Sequence, residues 1–221
     1  MAAAVERARI TNRLLGYPDD ARLLIVNADD FGKCHSINEA IIQALRQGIV
    51  SSCTLMAPCP WSAGAIEQLR QNPDIAFGVH LTAICEHDRY RWGPLLGSGR
   101  VPSLVDARGC FWHSSLTEKF VRQAKLSELE AEFRAQIELV LAAGVHPTHL
   151  DSHCHVHTRR AEVFDMVVGL AREYGLAIRV NSEPLIAALR NQGMPASDYD
   201  VLDSFDLPLK GKQGRYRTML R

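Results

Sequence analysis

Residues 23–32 read LLIVNADDFG, an apolar run that stops abruptly at two carboxylates and a glycine. Four consecutive aliphatic side chains without polar alternation predict a strand buried on both faces. That is the pattern of a parallel sheet covered by helices, not of an antiparallel sheet with one wet face. Downstream, Ile37, Ala40, Ile41, Ala44 and Leu45 recur at helical spacing, and Gly48 closes the stretch as a C-terminal cap. The quoted stretch is therefore the strand and loop of a β-loop-α unit, with Asp29 and Asp30 at the strand's carboxyl end.

The alternation repeats. Strands are predicted at 52–56, 75–81, 148–152 and 177–180, and helices at 61–70, 129–141, 161–174 and 184–190. Ser127 and Glu130 have capping-box spacing at the start of the third of these helices, and Gly144 with Pro147 stops it. About five βα units imply an α/β fold with a parallel sheet, either open or closed into a barrel. One stretch, Thr82 to Leu126, is rich in Gly, Pro and aromatics and too long for a routine connection, so it is expected to be a substrate loop. Within it, Tyr90, Trp92, Phe111 and Trp112 form either an apolar platform for a sugar ring or a small satellite core.

With 221 residues and no Gly/Ser- or Pro-rich linker, the chain reads as a polar N-terminal extension over 1–22 and a single domain over 23–221. Lys+Arg and Asp+Glu balance at 25 each, which gives no basic field for nucleic acid; the expected partner is a small molecule. No window approaches the ~18 apolar residues of a membrane span, and the first residues lack the apolar core of a signal peptide. A cytoplasmic location is expected, with the six cysteines as free thiols because none forms a C-x-x-C pair.

The second informative stretch is THLDSHCHVH at 148–157, which holds four of the nine histidines. Fully extended, His149 and His157 would lie roughly 26 Å apart, so a single ion could not hold them all. The run must bend, divide its duties, or recruit ligands from elsewhere. In parallel α/β folds active sites lie at the carboxyl ends of strands. Asp29-Asp30, His80 and the histidine run all fall at such ends. One carboxylate with two imidazoles suits a borderline divalent metal that keeps a position open for water. A second carboxylate with a separate duty suits metal-assisted hydrolysis.

Taken together, LLIVNADDFG at 23–32, GVHLT at 78–82 and THLDSHCHVH at 148–157 resemble, in order and spacing, the YdjC/ChbG-like carbohydrate deacetylases, a family that includes chito-oligosaccharide deacetylase and HpnK-like proteins. The resemblance runs from about Leu23 to Val180. It implies an irregular, TIM-barrel-like (β/α) barrel and hydrolysis of the N-acetyl group of an acetylated amino sugar. It also implies Asp30, His80 and His153 as metal ligands and Asp29 as general base. His149, Asp151, His155 and His157 then become supporting or substrate-facing residues. Imidazole ligands favour zinc, cobalt or iron, with magnesium as the other choice for an open site with one carboxylate.

Family members continue to a further strand ending in a His-Pro motif whose histidine is the expected general acid, and the closing segment KGKQGRYRTMLR lacks it. The resemblance then leaves three alternatives: His155 or His157 substitutes as the acid, a partner chain completes the site, or the chain is a shortened form with impaired activity. A barrel incomplete at its C-terminal side is also expected, with a homodimer or a tail as a way to cover its edges. Two other functions fit the same residues, a metallohydrolase of another kind such as a phosphoesterase, and a catalytically silent metal- or sugar-binding protein.

Overall fold

The computed structural model describes residues 11–197, 208 and 210–219. Five parallel strands form the central sheet: β1 (Asn27–Phe31), β2 (Ser52–Leu55), β3 (Phe77–Leu81), β6 (His149–Ser152) and β7 (Ala177–Ile178), in that spatial order. The helices between them are α1 (His35–Gln47) after β1, α2 (Ser62–Gln71) after β2, α3 (Thr117–Gln123) and α4 (Leu126–Ala142) before β6, α5 (Ala161–Tyr174) before β7 and α6 (Glu183–Asn191) after it. A last helix, α7, spans Lys212–Met219. Strand order follows chain order without a reversal, so right-handed crossovers carry every connection the same way round, as in a (β/α) barrel. Among the described residues β1 and β7 pair with no further strand, and the sheet is an open arc of such a barrel.

All residues of β2 and β3 are buried, as strands covered on both faces must be. Helix α5 turns Val163, Phe164, Val167, Val168, Leu170 and Ala171 into the core. Its end is fixed by Gly175 at φ 68°, where the Leu176 N–H reaches back to the Ala171 carbonyl at 2.8 Å. That left-handed cap suits glycine.

Two expectations need correction. The first strand is not the aliphatic run but the residues after it: Leu23, Leu24 and Ile25 are 46%, 57% and 76% exposed. Pairing starts only at Asn27↔Ser52, because the β2 side begins there and leaves residues 23–25 overrunning the sheet. The capping box at Ser127 does not form. Helix α4 starts at Leu126 with Lys125 in the cap position and no side-chain cap. The segment from Thr82 to Leu126, expected as a substrate loop, carries secondary structure of its own. It holds the short parallel pair β4 (Ile84–Cys85) and β5 (Trp112–His113), and sends Trp92, Val101, Leu104, Phe111 and Phe120 into the core.

That segment is anchored from α4. Gln136, fully buried, accepts from the Thr82 N–H at 2.8 Å and donates to the Thr82 carbonyl at 2.7 Å. Glu132 accepts from the Leu95 and Leu96 N–H groups. The buried side chains thus satisfy backbone groups that would otherwise lack partners, which is the condition for an irregular segment to lie against a core. Trp92 and Phe111 belong to the main core, and Tyr90 and Trp112, partly exposed, pack against it.

Candidate metal centre

The carboxyl ends of β1, β3 and β6 converge. Between Ala28↔Cys53 and Phe31↔Leu55 the register shifts, so β1 carries one extra residue. Asp30 absorbs it at φ 71°, a left-handed conformation that aspartate tolerates better than most residues. A bulge re-aims side chains. Adjacent residues of a regular strand face opposite ways, yet Asp29 and Asp30 both present ligand atoms within 4.8 Å of those of His80.

His80 and Asp151 are register partners on β3 and β6, so their side chains stand beside each other on one face. His80 Nδ1 lies 2.5 Å from Asp151 Oδ1, which leaves Nε2 pointing at the mouth. His153 lies two residues past Asp151, and directly after it Cys154 and His155 take φ 55° and φ 53°. These two left-handed residues turn the histidine run out of the strand, so it bends and no longer forms an extended strip.

Three atoms meet at the centre. Asp30 Oδ1 is 3.1 Å from His153 Nδ1 and 3.5 Å from His80 Nε2, and the two ring nitrogens are 3.3 Å apart. Ligand atoms about 2.0–2.1 Å from a tetrahedral ion are themselves about 3.3 Å apart. Two imidazole nitrogens and a carboxylate oxygen at these separations fit a divalent cation. The trio is largely buried, with His80 and His153 only 2% and 5% exposed. Burial works to raise the Asp30 pKa. The hydrogen bond and charge of His153, with the charges of His80 and Lys33, outweigh it and hold the carboxyl far below the usual range. For His153 burial opposes the charged ring, but hydrogen bonding to Asp30, Cys154 and Glu86 keeps its pKa well above that of a free imidazole. A proton on His153 and a divalent cation answer the same electrostatic demand.

A second grouping, Asp29, His80 and Asp151, also brings ligand atoms together. Here, however, Arg179 already supplies the positive charge, its Nη2 lying 2.7 Å from Asp29 Oδ2 and 2.5 Å from Asp151 Oδ2. Asp29 is further held by Asn27 Nδ2 at 2.7 Å. Arg179 comes from the end of β7, so a fourth strand end reaches the mouth.

The other members of the run divide. His157 is 2% exposed and stands apart from the trio, its Nδ1 2.6 Å from Ser152 Oγ and its Nε2 2.9 Å from the Arg179 carbonyl. Both of its nitrogens are thus occupied, and burial pushes its pKa down to about 4. His149 packs over Gly78, where a Cβ would come within 2.6 Å of the His149 ring and carbonyl oxygen. His155 lies in the left-handed turn and is partly buried. Sequence reasoning missed Lys33, Glu86 and Arg179. The rule of strand ends could have found Arg179, since it follows β7 directly. Nothing in CEHDRY marks Glu86.

The fold and mouth define an α/β protein with a parallel sheet whose strand ends carry side chains able to hold a metal ion. The chain belongs to the YdjC-like protein family, whose model matches residues 23–215. It is 39% identical over 157 residues to a carbohydrate deacetylase of Enterococcus faecalis, an alignment covering 71% of this chain and 57% of that protein. To a chitooligosaccharide deacetylase of Yersinia enterocolitica it is 34% identical over 201 residues, 90% of this chain and 74% of the relative. A crystal structure from Enterococcus faecalis, of a protein provisionally assigned to cellobiose-phosphate cleavage, superposes with a TM-score of 0.75 at 32% identity, over 89% of this chain and 74% of that one. The chain thus spans less than two thirds of the length of the first of these relatives. Among the described residues no helix is long and apolar enough to cross a membrane.

Proposed function

We propose that this chain acts as a metal-dependent carbohydrate N-deacetylase, hydrolysing the N-acetyl group of an acetylated amino sugar or chito-oligosaccharide to acetate and a free amine. The observation that carries the reading is the meeting of Asp30 Oδ1, His80 Nε2 and His153 Nδ1 at 3.1–3.5 Å, with Asp29 beside them at the same mouth. The names of the relatives support the same chemistry. A divalent ion on the trio, zinc by the softness of its imidazole ligands, would polarise the acetamide carbonyl and acidify a water molecule.

The chain's own residues do the rest. Asp29 takes a proton from the attacking water, and Arg179 and Asn27 hold its carboxylate in place. As the new C–O bond forms, charge develops on the carbonyl oxygen; when the C–N bond breaks, the leaving amine requires a proton. With both His157 nitrogens tied into the scaffold, His155 is the member of the run we assign to that donation. A neutral substrate suits the local charge. Lys33 and Arg179, the cations at the mouth, are each paired with two carboxylates, which favours an acetamide over a phosphate dianion.

Zinc-reconstituted chain incubated with diacetylchitobiose should release acetate, and Asp29→Asn should lower the rate about 10²–10⁴-fold while zinc stays bound. Undiminished acetate release by Asp29→Asn would remove Asp29 as the base. Stoichiometric zinc without turnover of this or longer chito-oligosaccharides would point to a silent binder.

A further inference from the structure

Each candidate ligand has a second atom able to coordinate, and each second atom has a charged or hydrogen-bonding group within 3.0 Å. Asp30 Oδ2 is 3.0 Å from Lys33 Nζ, and His80 Nδ1 is 2.5 Å from Asp151 Oδ1. His153 Nε2 is 3.0 Å from Glu86 Oε2, and the other Glu86 oxygen is 2.8 Å from Lys33 Nζ. The 3.0 Å approach of His153 Nε2 to Glu86 Oε2 falls short of hydrogen-bond geometry, and both atoms are buried without a hydrogen-bond partner. Each therefore satisfies the other, or both stay buried and unsatisfied, at a cost of about 1–3 kcal/mol per group.

Resting on the metal reading above, we propose that Glu86 is a positioning residue of the centre. It accepts the His153 Nε2 proton and thereby directs metal to Nδ1, and it holds Lys33 against Asp30 so that only Oδ1 of that carboxylate is offered. The two histidines then bind through opposite nitrogens, His80 through Nε2 and His153 through Nδ1. The nitrogen a histidine offers to metal is set by the hydrogen bond its other nitrogen makes.

The fold ties down the segment that carries Glu86. It follows β4 directly, and β4 is fixed by its pairing with β5 and by the Trp92 indole N–H, which donates to the Ile84 carbonyl at 3.0 Å. Tyr90, from the same segment, donates its hydroxyl to the Lys33 carbonyl at 2.6 Å. Lys33 itself is 6% exposed, so its pairs with Asp30 and Glu86 are not the weak ion pairs of a solvated surface. The segment expected to receive substrate thus buttresses the ligands from behind.

The test is zinc titration calorimetry on the full chain, together with long-range ¹H–¹⁵N NMR of the zinc-loaded, ¹⁵N-histidine-labelled protein. The unsubstituted chain should show His153 metallated at Nδ1 and protonated at Nε2, with His80 the reverse. Glu86→Leu should weaken zinc binding about 10–100-fold and abolish the single Nδ1 signature of His153. Glu86→Gln, which keeps an acceptor, should retain that signature with a smaller loss of affinity. Native affinity and an unchanged His153 signature in Glu86→Leu overturn the inference, as does Nε2 coordination of His153 in the unsubstituted chain. If circular dichroism shows Glu86→Leu unfolded, Glu86→Gln decides alone, and native zinc affinity there overturns the inference. Failure of the unsubstituted chain to take up zinc is a different result, and overturns the metal reading itself.

Discussion

His157 offers the most direct check on the site's scaffold, because its burial predicts how stability depends on pH. Its ring is locked in one tautomer: Nε2–H donates to the Arg179 carbonyl, and Nδ1 accepts from Ser152, whose oxygen accepts the His157 N–H at 3.0 Å. Protonation would put a second hydrogen against Ser152 and a charge in a fully buried position. The folded pKa accordingly falls from 6.5 to about 4, with burial the main cause. Between those values the unfolded chain binds the extra proton and the folded chain does not, so stability rises with pH across the window. It is fully present above about 6.5 and lost as pH falls to about 4. A separation of this size corresponds to about 3 kcal/mol. Urea unfolding between pH 7.5 and 4.5, in chelator to exclude metal, would be compared for the unsubstituted chain and His157→Gln. His149 and His153 titrate in both proteins and cancel in the difference. The two stability curves should converge by about 2–3 kcal/mol as pH falls. Parallel curves would refute the assignment of His157 to the scaffold and restore it as a candidate proton donor.

Other expectations follow from the same geometry. Gly78→Ala drives a Cβ to 2.6 Å from the His149 ring and carbonyl oxygen, and should destabilise by about 1–3 kcal/mol, read as a lower melting temperature. Gln136→Leu strips both backbone groups of Thr82 of their partner; a loss of at least about 2 kcal/mol is expected in urea, and a loss under about 0.5 kcal/mol would show that the segment is held otherwise. Because Asp30, Cys154 and Glu86 keep His153 protonated above pH 6.5, zinc uptake must displace a proton there. Apparent zinc affinity should therefore rise with pH, up to about tenfold per pH unit, until His153 deprotonates by itself, and calorimetry in buffers of different ionisation heat should detect the released proton. A pH-independent affinity above pH 6.5 would contradict the placement of zinc on His153 Nδ1.

The three strand ends were legible because the rule that reads them is topological. Once helices alternate with strands, polar residues at the end of an apolar segment must fall on one rim, and Asp29-Asp30, His80 and His153 do so. Arithmetic on the extended chain also required the histidine run to turn. Where it turns, and which histidines survive as mouth residues, was not legible. Left-handed backbone at Cys154 follows from no local preference of cysteine, and a histidine's modest tolerance of it at His155 does not locate a turn; Ser152, His157 and the Arg179 carbonyl bond across its far side. Glu86 and Lys33 escaped for a related reason: their roles come from partners 53 residues apart in the chain, which no periodicity records.

The displaced first strand shows how this limit works. An aliphatic run predicts burial only where a neighbouring strand exists to bury it, and β2 offers its first partner opposite Asn27. The sheet therefore takes in the residues that the hydrophobic pattern assigns to the loop. A strand that ends at a mouth must carry its polar residues inside the ladder, since there they are held rigidly enough to serve a ligand or a base. Asn27 is paired within β1 and bonds Asp29, and the bulge one residue later aims Asp30 at the histidines. The apparent error of four residues in the strand and the correct placement of both carboxylates have the same origin. The polarity that seems to end the strand is the sheet's own contribution to the site.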